Sequence, residues 1–386
     1  MKKSSLFAFA FISLCFQKSE DIDTLIQKEY NKIEFVSEQL KENLAYLKTN
    51  ESTDKSIIHI GDSHVQIGSL YQGIKETLKS KNININEGWF YPAGLQKDYY
   101  HPFFNVTNQS NPFIVESIKA KEPQFEVGIT GRTFRMSAEK NVISCSSIRS
   151  INTIEFLHKN IEEIKIVFGK RLRFNCKAQV ETKEISQEYA VTSITFKKPT
   201  SDFKLTFENK TEKLTEFYAV RVNHLDADVS YSNFGVSGST YKDFLSSALW
   251  QKQLTALKPT IIFITLGTND SYVKNLDTLK FKTDLENFTQ TVKTLLPRTT
   301  CVFMSAPDTK FKQNYPPSLA FVNRTIYEHC KSNNLAFWNW NAVMGGYDSM
   351  QKWENNKFSS GDWLHFSSFG YQTFGKYFVE ALFDVK

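Results

Sequence analysis

Apolar and polar positions follow two different rhythms along this chain, and the places where the rhythm changes mark its organisation. From Asp21 to Lys48 the residues Leu25, Ile26, Ile33, Phe35, Val36, Leu40, Leu44 and Leu47 recur at roughly helical intervals, which predicts one or two amphipathic helices. The compact run "SIIHI" at 56–60 then predicts a strand, and Val65 to Lys81 a helix. A second strand-turn-helix unit comes only at Asp228 to Leu245, "DVSYSNFGVSGSTYKDFL". After it the pattern is regular. "TIIFITLG", "TTCVFMSAP" and "LAFWNW" read as strands, and Asn275 to Leu296, Pro317 to Lys331 and Phe369 to Phe383 as helices. Apolar strands alternating with amphipathic helices predict a doubly wound α/β fold, a parallel sheet covered on both faces.

Between Gly88 and Asp226 the period shortens to two. Segments such as "FEVGITGRTFRMSA", "IEEIKIVFG", "YAVTSITFKK" and "DFKLTFENK" alternate apolar and polar residues between polar turns, and no long helix is legible. An all-β sandwich inserted after the first βα unit is the expectation. The chain therefore divides into a signal peptide (1–19), a helical extension (20–50), a first α/β part (51–95), a β-rich insertion (96–226) and a second α/β part (227–386).

Composition narrows the class. Across 386 residues, 41% hydrophobic and 14% aromatic content excludes a disordered chain. Lys+Arg number 47 against 41 Asp+Glu, a mild excess spread along the chain, so solvated faces rather than a nucleic-acid partner are expected. Lys2 and Lys3 precede an apolar run from Leu6 to Phe16 that is too short to span a bilayer. This predicts a secretory signal peptide and a periplasmic or secreted product with no integral membrane segment after its removal. Cys15 offers a second reading as a lipidation site, against which stands the large Leu14 before it. Of the remaining cysteines, Cys145 could pair with Cys176 within the insertion; Cys301 and Cys330 could pair or stay as buried thiols.

Four short stretches fall at the carboxyl ends of predicted strands, where an open parallel sheet places its ligand crevice: Gly61-Asp62-Ser63, Gly235-Val236-Ser237-Gly238, Gly267-Thr268-Asn269-Asp270 and Asp362-Trp363-Leu364-His365. Their chemistry is complementary. A serine hydroxyl needs a base to become a nucleophile, His365 can be that base, and Asp362 three residues earlier can fix its tautomer. The N–H groups of Ser63 and Gly238 and the amide of Asn269 could form an oxyanion hole, with Gly235 as an alternative donor. The competing structural readings are that Ser63, Asn269 and Asp362 only cap helices or turns and that Gly238 is only a turn glycine. Asp270 is the expected cap of the helix after "LGTND".

The order Gly-Asp-Ser, glycine after the second strand, Gly-x-Asn-Asp and a late Asp-x-x-His resembles the four blocks of the SGNH (GDSL-type) hydrolase superfamily. That resemblance implies a flavodoxin-like sheet, Ser63 as nucleophile, Gly238 and Asn269 as oxyanion donors with the Ser63 N–H, Asp362 and His365 completing the triad, and no cofactor. The Gly-Asp-Ser-His block, the N-terminal extension and the long β insertion resemble the peptidoglycan O-acetylesterases of this group, whose insertion is similar to a carbohydrate-binding module. An exported esterase acting on O-acetylated glycan, with muramic acid the leading substrate, is the implied function. The rivals are an acyltransferase or lipid esterase with the same triad, and a glycan-binding surface protein without catalysis.

Several residues outside the four blocks carry weaker readings. His64 could line the mouth of the site, and Arg132 and Arg135 could meet an anionic glycan, although charges on a solvated strand face are the default reading of both arginines. His59 and His64 have no third ligand in view, so packing rather than metal binding is expected. Trp89, Phe90, Tyr91, Tyr99, Tyr100 and Phe103 could stack on sugars or fill a core.

Overall fold

Seven strands form a sheet that holds the carboxyl ends of its central strands in a row, and a second, all-antiparallel sheet stands beside it. The computed structural model describes residues 21–49, 55–91, 104–108, 113–136, 140–168, 177–208, 214–223, 229–312 and 314–385. The segment read as a signal peptide, Cys15, Cys176, Tyr99, Tyr100 and Phe103 lie outside them.

The N-terminal segment differs from its periodicity. It has two single 3₁₀ turns, a two-residue strand β1 (Ile33–Glu34) and only one α-helix, α1 (Glu38–Leu47), capped by the Ser37 hydroxyl. Ile22, Leu25, Ile26 and Ile33 are buried against the sheet domain by an irregular chain, so their spacing reflects docking rather than a helix. Asn31 locks this path, donating to the Tyr377 carbonyl and accepting from the Trp338 indole N–H, both at 3.0 Å.

β2 (Lys55–Gly61) leads into α2 (Ser63–Gln66) and α3 (Ser69–Ser80). The single helix expected here is broken at Gly68, whose left-handed φ of 80° starts a new axis. β3 (Ile85–Glu87) then pairs at the sheet edge, and the chain leaves the sheet until 229.

The insertion comprises β4 (Phe104–Asn108), β5 (Phe113–Ser117), β6 (Arg132–Met136), β7 (Lys140–Lys159), β8 (Glu163–Phe168), β9 (Ala178–Glu184), β10 (Ala190–Glu208) and β11 (Thr215–Asn223). β7 and β10 are long antiparallel partners with register shifts between Thr195 and Asp202, and these bend the pair. One half of the pair is flanked by β9 and β11, the other by β4 and β8. The halves face each other: Phe156 of the first packs on Phe207 of the second at 5.6 Å, and Phe217 on Phe207 at 4.9 Å. A sandwich core of buried Phe, Ile and Leu fills the space between.

The chain re-enters the main sheet as β12 (Val229–Gly235), α4 (Tyr241–Leu245), α5 (Ala248–Leu257), β13 (Ile261–Thr265), α6 (Thr268–Ser271), α7 (Thr278–Leu295), β14 (Thr300–Met304), α8 (Leu319–Ser332), β15 (Ala336–Trp338), α9 (Trp340–Val343), α10 (Met350–Asn355) and α11 (Ser368–Phe383). Strand order is β1-β15-β14-β13-β2-β12-β3, and all pairs are parallel except β1 with β15. From β2 onward, omitting the two edge strands, this is the 5-4-3-1-2 order of a flavodoxin-like sheet. Alternate residues of β2 serve two cores: Ile57 packs on the α3/α11 side, Ile58 and Ile60 on the other. Cys301 and Cys330 are buried free thiols. No described helix is long and apolar enough to cross a membrane.

The insertion is docked firmly on the sheet domain. Ile118, Val127, Ile129 and Tyr218 share a core with Val236 and Trp250, and the Ile129 N–H donates to Gln253 Oε1 at 2.7 Å.

Candidate active site

β2 ends at Gly61 under tight steric control. A Cβ there would lie 2.3 Å from Val65 Cγ2 and 2.9 Å from the Thr265 carbonyl, so only glycine lets the chain turn sharply into α2. Asp62 caps that turn, its Oδ1 accepting the His64 N–H at 3.0 Å. Ser63 thus becomes the first helical residue, partly exposed at the carboxyl end of the central strand, with its own N–H outside the intrahelical ladder.

The second loop is pinned to the first. The Gly61 carbonyl accepts from the Val236 N–H at 2.9 Å and the Ser239 hydroxyl at 3.1 Å. Gly238, in the turn between them, has φ of +78°, and a Cβ there would meet only Lys119 Cε at 3.8 Å. The glycine is required by backbone conformation and not by lack of space. Gly235 is different: a Cβ would fall 2.2 Å from the Gln66 N–H nitrogen, so that glycine serves packing of strand on helix.

Asn269 lies on α6 with Gly267 as the cap residue. Its Nδ2 donates to the Ser239 carbonyl at 3.0 Å and lies a long 3.4 Å from Asp62 Oδ2. Gly61, Ser239, Asp62 and Asn269 therefore tie the first three loops into one unit. Burial pushes Asp62 up to about 7, against the opposing pull of the His64 N–H, the His365 charge and the Thr268 hydroxyl.

The fourth loop completes the row. Gly361 (φ +87°) and Trp363 (φ +61°) fold it so tightly that Asp362 Oδ1 accepts from the backbone N–H groups of Leu364 and His365 and from the Ser360 hydroxyl, at 2.8 to 2.9 Å. Asp362 Oδ2 accepts from His365 Nδ1 at 2.6 Å, and Ser63 Oγ lies 2.9 Å from His365 Nε2. Burial opposes ionisation of Asp362, but the hydrogen bonds from His365, Ser360 and Leu364 outweigh it and hold the carboxyl well below the usual carboxylate range. A carboxylate bonded to Nδ1 fixes the tautomer that leaves Nε2 free to accept the Ser63 proton.

The residues with weaker readings sit elsewhere than expected. His64 is fully buried and does not line the mouth: its Nδ1 meets the Tyr371 hydroxyl at 2.7 Å, and it packs edge-on against Trp340. Burial holds its pKa well below the usual imidazole value. Arg132 is buried at the seam between insertion and sheet domain, donating to Gln66 Oε1 at 3.0 Å, and the same oxygen accepts the Ser237 N–H at 2.6 Å. Arg135 is held by Glu216 and lies 3.7 Å over the Phe125 ring. The Arg132 guanidinium is not on a solvated face, whereas Arg135 stays partly exposed. His59 bridges the Tyr231 and Thr265 hydroxyls inside the core, and burial lowers it to about 3. Trp89, Phe90 and Tyr91 are buried. Asp270 does not cap α6; it is buried at the third helical position. Sequence reasoning missed Ser360, Gln66 and Tyr371, which carry no pattern beyond ordinary loop or helix positions.

The family described as GDSL-like Lipase/Acylhydrolase family matches residues 193–373, a span that holds Gly238, Asn269, Asp362 and His365 and leaves Ser63 outside. A solved peptidoglycan O-acetylesterase superposes on 91% of this chain and 96% of its own, with a TM-score of 0.73 at 17% identity. The lipase/acylhydrolase from Enterococcus faecalis aligns with 41% of this chain and 78% of its own, at 21% identity and a TM-score of 0.33. The acetylxylan esterase from Geobacillus stearothermophilus aligns with 40% of this chain and 72% of its own, at 18% identity and a TM-score of 0.31. No curated protein matches the sequence. The first of these superpositions runs through the insertion as well as the sheet domain, whereas the other two cover less than half of the chain. In motif order, in the family matched over 193–373 and in fold, the chain resembles the SGNH (GDSL-type) hydrolases, with an overall architecture similar to that of a peptidoglycan O-acetylesterase.

Proposed function

We propose that the protein is an exported serine esterase that removes O-acetyl groups from a carbohydrate, with muramic acid residues of peptidoglycan as substrate. The observation that carries this reading is the unbroken hydrogen-bond chain from Asp362 through His365 to Ser63. The signal-like N-terminus and the likeness of the whole architecture to a peptidoglycan O-acetylesterase support the substrate and the location.

In this mechanism His365 Nε2 takes the Ser63 proton as Oγ attacks the acetyl carbonyl. The negative charge gathers on the former carbonyl oxygen, which receives the N–H groups of Ser63 and Gly238 and the Asn269 amide. Collapse of this intermediate breaks the bond to the sugar oxygen, which departs with the proton from His365. Water, deprotonated by the same Nε2, then attacks the acetyl-enzyme, releasing acetate and restoring Ser63.

The test is acetate release from O-acetylated peptidoglycan by the signal-free protein and its Ser63→Ala variant. Serine-dependent release supports the assignment. Turnover of a soluble aryl acetate without release from peptidoglycan rejects the wall substrate, and transfer of the acetyl group to an added alcohol in preference to water points to a transferase.

A further inference from the structure

Beyond β15, on the same rim of the sheet as Ser63, lies a cavity of about 690 Å³ that the proposed chemistry does not use. Its walls come from three separate segments: Gln27 to Tyr30 of the N-terminal extension, α8, and the chain from Phe337 to Tyr347. The extension is fastened there by the Gln27 N–H, which donates to the Val343 carbonyl at 2.8 Å. The volume is that of an ordinary small-molecule site.

Its chemistry is specific. The amide side chains of Gln27, Asn323, Asn339 and Asn341 stand in the wall, so it is polar without carrying charge at these points. At the rim stand Tyr30 and Tyr347, 51% and 53% exposed, which is unusual for rings of that size. Gly346 leaves open space where a Cβ would be. Arg324 and Glu29 both line the wall, so neither sign of charge prevails and a neutral ligand fits better than an ion.

We propose that this cavity is an accessory subsite for a neutral sugar ring of a polymeric glycan, with the sugar face lying on Tyr347 or Tyr30. The inference rests on the carbohydrate reading given under the proposed function and extends it to a second point of attachment. Three strand intervals separate β15 from β2, about 14 Å across the sheet at the usual spacing. The cavity lies beyond β15, so a glycan that reaches both sites spans more than this distance, which a chain of several sugar residues can do. Such a subsite supplies binding to the polymer and nothing to a small ester, which reaches only the serine.

The test uses the full mature chain. Soluble glycan fragments released from peptidoglycan by a muramidase are titrated into the Ser63→Ala protein and into the same protein carrying Tyr30→Ala, Tyr347→Ala or both. Each exposed tyrosine is expected to contribute about three- to tenfold in affinity, and the double tyrosine variant more than either alone. In the background with Ser63 present, the same tyrosine variants keep aryl acetate turnover within about twofold. Absence of glycan binding by the parent, or tyrosine variants that bind as tightly as the parent, overturns the subsite. Failure of the serine esterase reading shows separately, as absence of aryl acetate turnover by the parent. Tyr30 and Tyr347 are exposed, so their alanine variants are expected to fold.

Discussion

The ring of His64 lies 5.4 Å, centroid to centroid, from the ring of His365, yet the two histidines have opposite surroundings. His365 has a carboxylate on one nitrogen, a serine on the other and access to solvent. His64 is sealed beneath it, and burial together with the nearby His365 charge keeps it neutral. No second cation then opposes the imidazolium that forms on His365 during attack. The Tyr371 hydroxyl is the polar partner of the buried His64 Nδ1.

Tyr371→Phe removes that partner and leaves a buried ring nitrogen unsatisfied. The expected loss is about 1–3 kcal/mol of stability, read from the denaturant midpoint. The pH profile of ester turnover should keep its shape, because His365, Asp362 and Ser63 keep their mutual hydrogen bonds. A variant as stable as the parent contradicts the role given to Tyr371.

Asn269→Ala tests the proposed oxyanion donor. Loss of one such donor lowers kcat by about 10² to 10³. If Asn269 only braces the Ser239 carbonyl, stability falls while kcat for an aryl acetate stays within about tenfold of the parent.

Much of the site was legible in the sequence because it demands particular residue types. Gly61 has no room for a Cβ, Asp62 caps a helix, and the aspartate three residues before His365 reaches its ring across one turn. The doubly wound α/β class followed from apolar strands alternating with amphipathic helices, whereas the strand order is seen only in the fold. What was not legible depended on which surfaces meet. Arg132 and Arg135 lie on an alternating strand that looks half solvated, but docking of the insertion buries Arg132 against Gln66, and Arg135 is taken up by Glu216. His64 follows the serine directly, and only the packing of α11 across α2 shows that it points inward to Tyr371. The apolar residues of 21–34 mimic a helix because they fill a core shared with α11.

Asp270 provides a pH signature. Its carboxyl is buried, its Oδ2 has no hydrogen-bond partner among the described residues, and burial raises it to about 7, with Asp243, Asp62 and Asp284 adding repulsion. In the unfolded chain it titrates near 3.8. Between these values the folded protein binds a proton that the unfolded chain does not, so stability falls as pH rises from about 4 to about 7 and then levels off. Asp270→Asn removes this contribution. The variant is expected to gain stability over the parent at pH 8, by about 4 kcal/mol at most, and to gain little at pH 4. Denaturant midpoints at both pH values check it, and an equal change at both contradicts a buried carboxyl with a raised pKa.

The most direct test of the central claim is aryl acetate hydrolysis by the mature protein beside its Ser63→Ala variant, with folding of both verified. The parent is expected to turn over and the variant to fall by about 10³-fold or more in kcat, since an attacking oxygen held by His365 is lost. Equal turnover by the two proteins would contradict a nucleophilic Ser63.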